Sequence, residues 1–313
     1  MHARTGRRLA ATLAGTALAL TGALPAMAGT TPSAETAVHA EKLTLNPGNR
    51  GYQGDMTVTV TNTGTTAGDF YLRILEPIGA SFRHIGPGDP CFYQGFSDNR
   101  RIIDCYPSYF QLQPGQSGQA TLSFEALTTV RPYPMRADQG TIQVLASGQT
   151  EAAGRASFGT LLRSPDGSVR HPRPYVQDAQ PRASVTAGDA TFTRRPDGSW
   201  WGRVPVSVRY AGDAAHDELW VNGIDLPAGV TVWGTDPESN PADWVGRVPV
   251  PGGRFMAGEQ RSFDLVLRAA DGTAPGDLGT ATIAVGTRWS PIDEVADADP
   301  SDNTVTVRLA AAG

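Results

Sequence analysis

Thr57-Val58-Thr59-Val60-Thr61-Asn62-Thr63-Gly64 decides the fold class. Every second residue of its first part is apolar. At the two-residue period of a β-strand this puts the valines on one face and the threonines on the other. Asn62-Thr63-Gly64 then supplies turn residues that end the strand. The same alternation recurs at Ala120-Thr121-Leu122-Ser123-Phe124, Thr141-Ile142-Gln143-Val144, Val204-Pro205-Val206-Ser207-Val208 and Val305-Thr306-Val307-Arg308-Leu309. One apolar face per strand is the pattern of antiparallel sheets packed on a core. Beyond residue 28 no stretch keeps helical periodicity with caps for ten residues. Turn signals separate the strands instead: Pro114-Gly115, Pro165-Asp166-Gly167, Pro196-Asp197-Gly198, Pro227-Ala228-Gly229 and Asp271-Gly272. The high content of Gly (36) and Pro (24) fits many short strands joined by turns.

The amino-terminal segment reads as an address. His2, Arg4, Arg7 and Arg8 form a positive head, residues 9–24 carry no charge, and Pro25-Ala26-Met27-Ala28 offers an Ala-x-Ala cleavage site before Gly29. Arg7-Arg8 hints at twin-arginine export, although Ala10 and Ala11 stand where that signal wants a bulky apolar residue. Residues 1–28 are therefore expected to be a cleaved signal peptide and the product secreted, with no integral membrane span in the mature chain. Cleavage would leave 285 of 313 residues, enough for two domains. The formal charge of −5 would move to about −8 with the three arginines gone, which argues against nucleic acid as a partner. The only two cysteines, Cys91 and Cys105, read as a disulfide in an exported chain. Closing so short a loop stabilises by about 3 kcal/mol at most.

The chain also repeats itself in order. Val58 and Val60 lead to Gly64 as Val206 and Val208 lead to Gly212. Pro114-Gly115-Gln116-Ser117 opens the strand ending Leu122-Ser123-Phe124-Glu125, as Ala257-Gly258-Glu259-Gln260 opens Phe263-Asp264-Leu265-Val266-Leu267-Arg268. Ile142-Gln143-Val144 matches Ile283-Ala284-Val285. A period this long means two copies of one domain. Each copy has about seven short strands, the signature of an immunoglobulin-like sandwich. The expected domains are residues 29–150 and 183–313, with 151–182 a linker or a shared hairpin around Leu161-Leu162-Arg163 and Val169.

Three features carry a resemblance: the Val58 to Gly64 strand and turn; the cysteine pair followed by Leu112-Gln113-Pro114-Gly115-Gln116-Ser117; and Asp299-Pro300-Ser301-Asp302-Asn303-Thr304-Val305-Thr306-Val307. Together they resemble the bacterial conserved-repeat and cell-adhesion-related immunoglobulin-like domains, over most of the chain beyond the leader. The second copy departs from that pattern in lacking the cysteines and in having Tyr210-Ala211-Gly212 for Asn-Thr-Gly. The resemblance implies a structural or binding role and brings no catalytic residues.

His39, His84, His171 and His216 are scattered through turn-like sequence, and no Gly-x-Ser-x-Gly elbow occurs. Asp293, Glu294, Asp297, Asp299 and Asp302 crowd one stretch, where calcium would want six to eight oxygens. An EF-hand loop read from Asp297 fails, with Asp302 at the glycine position and Arg308 at the final glutamate. A looser calcium site at Asp297, Asp299 and Asp302 stays open, against a solvated acidic turn. All six tryptophans, Trp200, Trp201, Trp220, Trp233, Trp244 and Trp289, lie in the second copy. If Val204, Val206 and Val208 face the core, Trp200 joins them, and Trp201 stands outside with Arg203, Ser207 and Arg209. An exposed Trp beside Arg is a stacking platform. The expected site is therefore Trp201, Arg203 and Arg209. The expected protein is a secreted, non-catalytic adhesion, scaffold or ligand-binding module, without a cofactor unless calcium, meeting an extracellular protein or a cell-envelope glycan. A carbohydrate-binding protein using the second copy's aromatic face is the first alternative, and a secreted enzyme with a dispersed site the second.

Overall fold

A computed structural model describes residues 35–86, 88–239, 246–289 and 293–313. The expected signal peptide, residues 1–28, and Trp244 lie outside the described residues.

The first half contains β1 (Thr36–Ala40), β2 (Leu43–Gly48), β3 (Gly51–Asn62), β4 (Gly68–Leu75), β5 (Phe82–Ile85), β6 (Cys91–Ser97), β7 (Arg100–Cys105), β8 (Gln111–Leu112), β9 (Ser117–Ala126), β10 (Met135–Ala146), β11 (Ala152–Leu162) and β12 (Arg173–Pro174). The second contains β13 (Ala183–Ala187), β14 (Ala190–Arg194), β15 (Trp200–Tyr210), β16 (Glu218–Ile224), β17 (Val230–Asp236), β18 (Val248–Pro249), β19 (Gln260–Ala269), β20 (Gly276–Arg288), β21 (Glu294–Val295), a 3-10 turn (Pro300–Asp302) and β22 (Thr304–Ala311).

The alternation does what period two requires. On β3, Met56, Val58 and Val60 are buried in the first core with Leu122, Phe124, Ile142 and Val144. On β15, Val204, Val206 and Val208 are buried in the second core with Leu265, Leu267 and Ile283. The Asn62 turn has its own cause. The buried Asn62 amide donates to Thr66 O (2.8 Å) and Leu112 O (2.9 Å), and its Oδ1 accepts from Gly64 N (2.9 Å).

Both halves are immunoglobulin-like sandwiches of the same plan. The strand order β5-β9-β3-β2-β11-β10-β4-β7-β6 matches β17-β19-β15-β14-β22-β20-β16-β18. In each, one strand passes between the two layers. Residues 43–45 of β2 pair in parallel with β11, and residues 46–48 pair antiparallel with β3. Residues 190–192 of β14 pair in parallel with β22, and residues 193–194 pair antiparallel with β15. Thus β11 is to the first sandwich what β22 is to the second.

This corrects the expected end of the first domain at residue 150. β11 lies between β2 and β10 in the sheet, and β12 adds to β10 in parallel. The stretch 152–174 therefore belongs to the first sandwich. Leu161 and Leu162 end β11, whereas Val169 is in no strand, so the expected shared hairpin does not form.

The sandwiches are fastened to one another by polar contacts. Asp213 Oδ2 accepts from Thr128 Oγ1 (2.6 Å) and from the Tyr175 hydroxyl (2.9 Å), and Oδ1 accepts from Asp178 N (3.0 Å). Burial and then Asp213 push the Tyr175 hydroxyl well above its ordinary range, so it stays a donor. The Gln177 amide bridges Gly79 and the Asp213 carbonyl. Residues 175–178 are thus laid along the joint and do not act as a loose tether.

Candidate functional site

The outer face of the β13–β15–β19–β17 sheet carries the residues singled out by parity. Trp200 is buried and Trp201 points outward, half-buried. Trp201 is not alone. The Arg195 guanidinium lies over its ring at 4.1 Å, and Trp233 stands edge-on with centroids 5.2 Å apart. Its indole N–H donates to Ser199 Oγ (2.7 Å). The exposed ring of this pair is Trp233, at 58%. It sits at a bulge, because Val232 pairs with Leu267 and Gly234 with Val266, leaving Trp233 as the extra residue that leans out. Arg268 approaches Trp233 at 6.0 Å.

The expected neighbours of Trp201 are placed differently. Arg203 shares its face but is taken up by Asp236 and by Asp264 (3.3 Å). Arg209 also shares the face, yet eight residues along an extended strand are about 26 Å. Alternation fixes a face and not a distance, so the arginine against Trp201 is Arg195, from the preceding strand and turn. Further down the same face lies a hollow of about 470 Å³ lined in part by Pro205, Ser207, Asp236, Ser262 and Asp264. Paired positions put Trp201 beside Arg268, Pro205 beside Asp264 and Ser207 beside Ser262. Aromatic rings thus occupy one end of a sheet face, and carboxylates and hydroxyls its middle.

Two of the carboxylates in the calcium expectation have hydrogen-bond partners within the protein. Asp297 Oδ2 accepts from Ala183 N (2.7 Å) and its Oδ1 from Asp299 N (2.9 Å). Asp299 Oδ1 accepts from Ser301 N (3.2 Å) and Oγ (2.6 Å), capping the 3-10 turn. Asp297 ties this stretch to the start of β13, Asp299 caps the 3-10 turn, and Asp302 lies within that turn, where burial and then Asp299 and Asp297 raise its pKa. Among the described residues no three His, Cys, Asp or Glu side chains gather as a cation would require.

A second aromatic surface was missed from the sequence. Cys91 and Cys105 are bonded and face each other across the β6–β7 hairpin. Asp98 and Asn99, both at positive φ, make its two-residue turn. β6 is the outermost strand of its sheet, and Phe92, Tyr93 and Phe96 on it are exposed, as are Tyr106 and Tyr109 nearby. A register shift between Tyr93 and Gly95 brings Tyr93 and Phe96 together at 4.9 Å, and Phe96 meets Trp289 at 4.5 Å. Burial and the Asp293 carboxylate push the Tyr93 hydroxyl upward. The available signal was the density of rings in Cys91-Phe92-Tyr93-Gln94-Gly95-Phe96, followed by the turn residues Asp98-Asn99.

Among the described residues no side-chain hydrogen bond joins a histidine to a serine, threonine or cysteine. His216 is buried, and burial lowers its pKa to about 4. Its Nδ1–H donates to Ala214 O (3.1 Å), and its Nε2 accepts from Phe255 N (2.9 Å). It is a neutral structural group.

No family model and no curated protein matches the chain. It is similar to the CupB6 tip adhesin from Pseudomonas aeruginosa at 10% identity and a TM-score of 0.28, over 89% of this chain and 99% of that one. It is similar to the chaperone DraB from E. coli at 10% identity and a TM-score of 0.25, over 88% and 95%. It is similar to the BSP domain of a biofilm associated protein at 10% identity and a TM-score of 0.23, over 88% and 58%. Likeness this distant carries no argument about activity or partner. The assignment to two immunoglobulin-like sandwiches rests on strand order and pairing.

Proposed function

We propose that the chain is an exported, non-catalytic binding module of the adhesion type, and that the outer face of its second sandwich takes a glycan of the cell envelope. The observation that carries this reading is Trp233, more than half exposed, braced by Trp201 and on the same sheet face as a hollow that carries hydroxyls and carboxylates. A sugar offers an apolar ring face and a rim of hydroxyls. Stacking on an indole and hydrogen bonding to Ser207, Ser262, Asp236 and Asp264 would satisfy both. Along β15, Trp201 to Pro205 spans about 13 Å, room for more than one ring.

A glycan array followed by titration of the strongest hit tests this. Trp233→Ala should weaken binding about tenfold or more, with an unchanged melting temperature. Equal binding by the variant, or no glycan bound at all, would refute the reading. The hairpin aromatics favour a second reading, contact with a protein partner, because β6 offers both rings and an outer strand edge. Phe92→Ala in the same assay separates the two: it leaves glycan binding alone if the first reading holds.

A further inference from the structure

The joint between the sandwiches contains a cleft of about 620 Å³ whose walls carry Arg50, Arg83, Arg101, Glu125, Asp217 and Arg254. Arg50 and Arg83 are half exposed at its mouth, and Arg101 and Arg254 lie deeper. The carboxylates around it are shared. Glu125 Oε2 serves both Arg83 (2.7 Å) and Arg254 (3.0 Å). Glu259 serves both Arg50 (3.4 Å) and Arg261 (2.8 Å). The fully buried Glu76 takes Arg101 from behind, and the half-exposed Asp217 lies 3.8 Å from Arg101. Among the described residues five guanidiniums therefore meet four carboxylates here, in a chain whose net charge is −5.

Local excess of positive charge in an acidic protein is not needed for solubility. Guanidiniums cannot relieve crowding by losing a proton at neutral pH. Burial, and then the neighbouring Arg101, lower the Arg254 pKa, consistent with that crowding. Arg254 is also fixed in place, since it donates to the Ala80 carbonyl as well as to Glu125. A preformed set of forks in a concave, partly dehydrated site is the arrangement that binds oxyanions best.

We propose that this cleft binds a compact oxyanion group, a sulfate, phosphate or carboxylate, with Arg83 and Arg254 as its direct donors and Arg50 and Arg101 supplying the surrounding field. Glu125 holds the forks apart and Asp217 limits the affinity from the mouth. The site is separate from the Trp233 face, so either assignment can fail without the other.

Calorimetric titration of the full chain with sodium sulfate, phosphate and acetate, each against sodium chloride of equal ionic strength, tests the proposal and separates the three chemistries. One-site, saturable binding of at least one of them is expected. Arg83→Gln should weaken it about tenfold, and Asp217→Asn should strengthen it severalfold, since each change shifts the cleft by one charge. Both residues are half exposed, so folding should survive. Trp233→Ala should leave the affinity unchanged. No saturable binding beyond chloride, or equal affinities in wild type, Arg83→Gln and Asp217→Asn, would overturn the assignment.

Discussion

Acidification to pH 5 should destabilise this protein through one residue. His216 is 4% exposed and makes two hydrogen bonds that define its neutral form: Nδ1–H donates to Ala214 O, and Nε2 accepts from Phe255 N–H. A proton on Nε2 would break the second bond and leave a cation in an apolar site beside Tyr210 and Phe255, with Arg254 and Arg261 near enough to repel it. Burial is the main reason its pKa falls from 6.5 to about 4. The unfolded chain therefore takes up the proton first. The stabilising contribution is complete above pH 6.5 and is lost as the pH falls through the window down to about 4. Within that window the loss is about 1.4 kcal/mol per pH unit, so about 2 kcal/mol should be gone at pH 5. That is a large share of the stability of an ordinary domain.

Urea unfolding at pH 7.5, 6.5, 5.5 and 5.0 measures this directly. His216→Gln supplies the control, because an amide oxygen can accept from Phe255 N–H and does not titrate. The variant should be less stable at pH 7.5 and should lose much less between 6.5 and 5. A wild-type loss under about 0.5 kcal/mol across that window, or the same loss in both proteins, would refute the reasoning.

The remaining expectations concern the first sandwich. A chain of residues 35–150 lacks β11, which pairs with both β10 and β2, and should show no cooperative melt by circular dichroism, whereas residues 35–178 should melt cooperatively. Replacing Cys91 and Cys105 together by Ser should cost about 2–3 kcal/mol of stability, read by denaturant titration, because the closed loop is short. A loss beyond about 5 kcal/mol would mean that the bond orders more than its own hairpin.

Much of the fold was legible because the two-residue period needs no knowledge of neighbours. Met56, Val58 and Val60 on one strand, and Val204, Val206 and Val208 on another, are buried as alternation requires. The repeat was legible for the same reason, since corresponding strands keep the same apolar pattern. The end of the first domain was not. Its last long strand, β11, reads Ala152-Ala153-Gly154-Arg155-Ala156-Ser157-Phe158-Gly159-Thr160-Leu161-Leu162, with Phe158 where β22 has Val307 but only Ala156 where it has Val305, and small residues before that. Gly154 is required there because a Cβ would meet the Thr36 side chain at 2.4 Å and its carbonyl at 2.5 Å. Close packing of β1 against the first half of β11 thus leaves the apolar signal of the strand only in Phe158, Leu161 and Leu162.

The aromatic surfaces were hidden by a related cause. Strict parity assigns Trp201 to the outer face but gives no reason for Trp233 to be more exposed. It also separates Tyr93 from Phe96, three residues on, onto opposite faces. In both places the ladder has a register shift, at Val232/Gly234 and at Tyr93/Gly95. A bulge adds one residue to one strand, reverses parity beyond it and turns a ring outward. Bulges leave little trace in a single sequence except a glycine, and Gly95 and Gly234 are those glycines. Two of the positions where alternation fails, Val232/Gly234 and Tyr93/Gly95, are therefore positions where large rings reach solvent. Rings placed by such departures from the regular sheet are the ones the proposed recognition role would use.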